Sequence, residues 1–246
     1  MNLARAFISA LNRVTHPLGY EFRRIKGSGS LYIDAALTIR AAQDQGVSVC
    51  EYVEALWNQR GCTDRVIDEM NNAGSLSHCN RVCEIGPGTG RYLERVNKWV
   101  TPKIYDIYET ANDWATWLAQ TYAPPVVHRS ADGHTLQQTP DSSCGLVHAH
   151  GVFVYLSYLH AFEYFKEIAR VCAPGGFVVF DFFSDEDINM QVINNWLKTS
   201  ERYPVILSRR MVIQYFKESG FSLIHEFDKE YGHGLSHYLI LRQTEN

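Results

Sequence analysis

Short apolar runs alternate along the chain with longer stretches in which apolar residues recur every three to four positions, and the two periods predict interleaved strands and helices. Leu3, Phe7, Ile8, Leu11 and Val14 fall at helical spacing, so residues 1–20 are expected to form an amphipathic helix. A glycine-serine joint at 27–30 follows. Further helices are predicted over 31–45, stopped by Gly46, over about 49–59 behind Ser48, and over 64–72 behind Thr63. From residue 80 the pattern changes. Runs at 82–85, 103–108, 126–128 and 177–183 read as strands, residues 141–148 lead into a fourth strand whose carboxyl end is crossed by 148–155, and helical periodicity follows at 92–99, from 110, and at 159–171. The stretch 184–204 reads as an insertion with its own helix at the mouth of a site, Ser208 as the cap of a helix over 209–219, and 221–230 with 236–242 as a closing hairpin. This alternation predicts an α/β domain over 77–246, preceded by a helical cap region over 1–76.

The stretch with the most chemistry is the junction of the first strand and its helix. Val82, Cys83 and Ile85 lead directly into Gly86, Gly88 and Gly90, and helical periodicity begins at Tyr92. Glycines there let the backbone bend sharply and approach a ligand, while free N–H groups of the loop and helix start favour an anionic group. A nucleotide-like cofactor is one reading and a ligand-free turn the other, so the following elements must decide. A dinucleotide fingerprint, Gly-x-Gly-x-x-Gly, would need glycine at position 91, which is Arg91.

The pattern Glu84-x-Gly86-x-Gly88-x-Gly90 resembles the first motif of the class I S-adenosylmethionine-dependent methyltransferases. The resemblance covers roughly residues 80–242, and its next most specific point is the Pro174-Gly175-Gly176 turn before the fifth strand. It implies a Rossmann-like, seven-stranded, mostly parallel sheet with an antiparallel last strand. It also implies S-adenosylmethionine (SAM) as cofactor and S-adenosylhomocysteine (SAH) as product. Cofactor-binding roles then fall to Glu84, Gly86, Pro87, Gly88, Gly90 and His148. The family's ribose carboxylate maps to Glu109, nineteen residues past Gly90. One carboxylate can accept hydrogen bonds from two neighbouring hydroxyls, and Asp106 competes for that task. Asp132 is the resemblance's candidate for the adenine amine, although Asp132-Gly133 is also an ordinary turn signal.

Methyl transfer is an in-line displacement for which alignment supplies much of the acceleration. A hydroxyl acceptor gains further from a base whose pKa lies near neutrality, which suits histidine. His148 and His150 cross the carboxyl end of the fourth strand on one face. Such a pair could begin a metal site, but further ligands are not evident nearby, so no metal is expected. His150 is the expected catalytic base, ionising near the ordinary value of about 6.5. His148, Tyr155 and His233 stand behind it, with a hydrogen-bonded structural role the preferred reading of His148, which is nearer the buried part of the strand. Tyr52 and Trp57 offer aromatic faces to a sulfonium cation, or simply core packing.

With 246 residues, 46% of them hydrophobic, the chain suffices for one large α/β domain with an appendage. A net charge of −4 gives no strong nucleic-acid signal. Six cysteines without a Cys-x-x-Cys pair suggest reduced thiols and hence a cytoplasmic location. No apolar run reaches membrane-spanning length, and no signal-peptide pattern is seen. Five basic residues against Glu21 within the first 26 suit a weak membrane-surface or partner contact, or a helix packed on the main domain. Residues 11–20 are similar to openings of methyltransferases of polysaccharide biosynthesis. The function expected is O-methylation of a small molecule or a glycan sugar. An RNA or protein methyltransferase and a non-catalytic cofactor-binding partner subunit are the alternatives, and a homodimer is left open.

Overall fold

A computed structural model describes residues 33–57, 59–77, 79–123, 125–199 and 204–245. The amphipathic helix expected over 1–20 and the joint at 27–30 lie outside the described residues. Residues 34–246 form one compact unit. Its helices are α1 (Ala35–Asp44), α2 (Val49–Leu56), α3 (Cys62–Asn72), α4 (Arg91–Trp99), α5 (Asn112–Thr121), α6 (Tyr158–Val171), α7 (Met190–Thr199) and α8 (Arg209–Glu218). Its strands are β1 (Arg81–Ile85), β2 (Ile104–Tyr108), β3 (Val126–Arg129), β4 (Cys144–Ala149), β5 (Cys172–Ser184), β6 (Ile206–Leu207), β7 (Phe221–Tyr231) and β8 (Gly234–Gln243).

Side-chain caps mark where some of the helices begin. Ser48 and Glu51 form a reciprocal capping box at α2, satisfying two N–H groups that the first turn leaves unpaired. Asp34 caps α1 by accepting from the Leu37 N–H at 2.9 Å. The expected Thr63 cap is replaced: Gly61, at φ +74°, turns the chain, and α3 starts at Cys62 with Thr63 buried inside it. Ser208 stands at the start of α8 but makes no side-chain cap bond.

The strands run in the order β3-β2-β1-β4-β5-β8-β7, with β6 pairing the end of β5. Strands β1 to β5 are parallel to their neighbours, whereas β8 enters antiparallel between β5 and β7. The expected sheet is therefore present, with the two-residue β6 as an eighth strand. Apolar side chains fill both faces. On one, Phe165, Phe180 and Phe216 pack with α6 and α8; on the other, Val66, Met70, Leu93 and Val96 bring α3 and α4 onto β1 and β2. Among the described residues no helix is long and apolar enough to cross a membrane.

Asp106 is a structural hub of this sheet. Its carboxylate, fully buried, accepts from Arg81 Nη1 at 2.6 Å, Arg129 Nε at 2.7 Å and Thr139 Oγ1 at 3.0 Å, so it ties β1 and β3 to β2. Removing one partner of such a cluster strands the others. We expect Asp106→Ala to lower unfolding stability in urea by about 3 kcal/mol, the lower end for a broken buried pair because both arginines are partly solvated. SAM affinity of the folded fraction should change little.

Candidate cofactor and active site

The carboxyl ends of β1, β2 and β4 meet at one edge, where an open parallel sheet receives its ligands. Three glycines with positive φ shape the loop after β1. A side chain at Gly86 would strike Val152 at 2.8 Å, and one at Gly90 would strike Leu118. Gly88 differs, since a Cβ built there meets nothing within 4 Å. The loop thus opens onto free space at its middle glycine.

Glu109 borders that space. Its Oε2 accepts from the Gly88 N–H and its Oε1 from the Ala111 N–H, both at 2.8 Å, so one carboxylate joins the glycine loop to the start of α5. Each oxygen keeps acceptor capacity beyond these bonds. Asp106, three residues earlier, has no such outlook. The open cradle at Gly88 with a carboxylate beside it fits a cofactor that carries a ribose. We expect Glu109→Ala to weaken SAM binding by about 1.5–3 kcal/mol, the range for hydrogen bonds to a charged group, read by isothermal titration.

The remaining expected site residues separate into an outer and an inner set. Asp132 is exposed, and its carboxylate accepts from the His134 N–H at 3.0 Å, the Thr135 N–H at 2.7 Å and the Thr135 hydroxyl. Partial burial raises its pKa, but these donors prevail and hold it down at about 2. Tyr155 lies after β4, its hydroxyl pushed up to about 12 by enclosure and by Glu109 and Asp181. His233 sits in the exposed turn between β7 and β8, while the ring of neighbouring Tyr231 lies against Gly151. Arg91 lies over the Trp57 ring at 4.9 Å, so the cation on that face is the protein's own.

Glu84 and His148 are inner residues, each 1% exposed. They oppose each other across β1 and β4. Tyr105 donates to Glu84 Oε2 at 2.8 Å and lies 2.8 Å from His148 Nε2, and His148 Nδ1 lies 3.1 Å from His150 Nε2. Both ring nitrogens of His148 are thus engaged within the protein. The two histidines bond to one another. Half-buried His150 stacks on Tyr92 at 3.5 Å between ring centroids, and its Nδ1 is buried without a hydrogen-bond partner among the described residues. Burial, then His148, Lys229 and Arg91, holds the His150 pKa well below the ordinary histidine range, which corrects the value near 6.5 expected from sequence.

Around His150 lie residues that sequence reading did not single out. Asp181, fully buried, accepts from the Gly151 N–H at 2.6 Å and from the Ser236 hydroxyl. Lys229 Nζ donates to the Tyr92 hydroxyl at 3.2 Å, which lies 3.3 Å from that of Tyr238. The available signal was an acid in the otherwise apolar run 177–183 and a lysine in a strand that pairs a buried neighbour.

Residues 42–226 match the sequence profile of the methyltransferase domain family. No curated protein matches the chain by sequence. Among solved structures, magnesium protoporphyrin IX methyltransferase from Synechocystis PCC 6803, with bound SAH, is 11% identical with a TM-score of 0.57, over 98% of this chain and 99% of that one. An O-methyltransferase family protein from Burkholderia thailandensis is 14% identical with a TM-score of 0.60, over 84% of this chain and 62% of that one. The 4+2 cyclase SpnF is 16% identical with a TM-score of 0.58, over 74% of this chain and 81% of that one. At such identities the likeness is one of fold, and the family rests on the profile. Matched by that profile over most of its length, the chain belongs to the methyltransferase domain family and is a class I SAM-dependent methyltransferase.

Proposed function

We propose that the enzyme O-methylates a small hydroxyl-bearing molecule, a sugar or a secondary metabolite, with His150 receiving the hydroxyl proton. One observation carries this reading: at the carboxyl end of β4, His150 has a neutral ring nitrogen, Nδ1, that is enclosed yet bonded to no group among the described residues. Its other nitrogen is fixed by His148, which sets the ring's orientation. The fold's likeness to an O-methyltransferase family protein supports the same choice.

Bound SAM supplies an electrophilic methyl group. The glycine loop, with Pro87 between Gly86 and Gly88, would hold the cofactor, Glu109 its ribose and Asp132 its adenine. Tyr155 and His233 would flank the acceptor. Positioning then does most of the catalytic work, and His150 removes the proton as the new O–C bond forms. The reading is tested by incubating the enzyme with methyl-labelled SAM and matched panels of sugars, phenols, carboxylates and amines. Label in an ether product supports it; label confined to amines overturns it.

A further inference from the structure

Four side chains on one face of the sheet are bonded in series. Glu84, Tyr105, His148 and His150 come from β1, β2 and the end of β4, and three bonds of 2.8, 2.8 and 3.1 Å connect them in that order. The first three are essentially sealed from water. At one end of the series is a buried carboxylate; at the other is the unpartnered Nδ1 of His150.

The donors and acceptors available allow two states of the series. With Glu84 ionised, Tyr105 donates to it and must accept from His148 Nε2–H, so His148 Nδ1 accepts from His150 Nε2–H and His150 Nδ1 holds a lone pair. With Glu84 protonated, every bond can reverse. The carboxyl then donates to Tyr105, Tyr105 to His148 Nε2, and His148 Nδ1–H to His150 Nε2, which leaves a proton on His150 Nδ1. The two states differ by one proton, and both rings are neutral in each.

We infer that Glu84, Tyr105, His148 and His150 form a proton relay, through which the acceptor's proton enters at His150 Nδ1 and comes to rest on Glu84. The inference rests on the proposed role of His150. As the acceptor oxygen bonds to the methyl carbon, its O–H bond breaks and the proton joins the Nδ1 lone pair. His150 passes its Nε2 proton to His148 Nδ1, His148 passes its own to the Tyr105 oxygen, and Tyr105 releases its original proton to the carboxylate. The net change is one carboxylate converted to a carboxylic acid.

Basicity runs in the direction this requires. Burial brings His148 down to about 3, and His150 is also held low, so neither ring retains the proton. Burial lifts Glu84 to about 8, against the Tyr105 hydrogen bond and with the Glu109 charge adding. The groups facing His150 are His148 on its own strand, Arg91 and Tyr92 of α4, Lys229 of β7 and Tyr238 of β8. The carboxylate of Asp181 on β5, also beside His150, is instead bonded to the Gly151 N–H and the Ser236 hydroxyl.

The test needs no acceptor. In protein labelled with ¹⁵N histidine, ring shifts report which nitrogen carries hydrogen. The wild type should show His148 and His150 protonated on Nε2 at high pH and on Nδ1 at low pH, both neutral throughout, with a shared midpoint near 8. Glu84→Gln and Tyr105→Phe break the series at different points, and either one, shown folded by its melting transition, should abolish the switch. Fixed tautomers in the wild type, or a switch that survives in a folded variant, would overturn the relay. Once the labelled-SAM screen has identified an acceptor, Glu84→Gln should slow turnover by about 10²-fold above pH 8. A switch in the wild type with full turnover in His150→Ala refutes the base assignment. A missing switch with lost turnover refutes the relay alone.

Discussion

Gly88→Leu is expected to yield a folded protein that no longer binds SAM or SAH measurably by calorimetry. The substitution is diagnostic because a Cβ at Gly88 meets no protein atom within 4 Å, so a side chain there starts into the open space in front of the loop. The positive φ of 54° adds strain of about 1–2 kcal/mol, tolerable for a domain with ordinary stability. Binding should weaken by more than about 10³-fold, equivalent to about 4 kcal/mol. Gly86 and Gly90 cannot serve this purpose, since side chains there would press on Val152 and Leu118 and confound binding with folding. Undiminished SAM affinity in a folded Gly88→Leu protein would remove the loop from the cofactor site.

His150→Ala should lower kcat by about 10²–10⁴-fold on a hydroxyl acceptor while leaving SAM affinity nearly unchanged. His150→Asn separates two roles, because an amide can orient an acceptor by hydrogen bonding but cannot take its proton. Retention of most activity by the asparagine variant would mean orientation alone. The pH profile carries independent information. A lone His150, held well below 6.5, would keep the rate level down through the usual histidine range and lose it only at lower pH. Proton delivery to Glu84 instead requires the ionised carboxylate, so the rate should fall as pH drops through about 8.

What could be read from sequence follows the range of the interaction involved. The glycine loop, the strand and helix alternation and the terminal hairpin depend on contacts within a few residues, and all were legible. Glu109 could be located because a strand end and a helix start bracket it. Thr63 was misread as a cap because the left-handed turn belongs to Gly61, and sequence pattern alone gives cap residues no such geometry. Strand β6, two residues long, carries no periodicity at all. Glu84 drew attention through the glycine-loop motif and His148 through its spacing from His150, but their burial opposite one another follows from strand register. The same register brings Tyr105 beneath them from β2, and no local pattern announces that meeting.

Strand β8 pairs with β7 on one side and β5 on the other. The hairpin can form early, since its strands are joined by a two-residue turn, and isolated hairpins assemble in about 1–10 μs. Docking it onto β5 is a long-range event with a larger loop-closure cost and a slower rate. Until then the edge of β5, rich in phenylalanine and valine, is unpaired, and such an edge invites association with other chains. Ser236 and Tyr238 reach Asp181 and His150 only in that step, so the polar layer beside the reacting groups is completed late. A nascent chain paused before residue 234 would therefore expose the apolar edge of β5 and lack a finished active site.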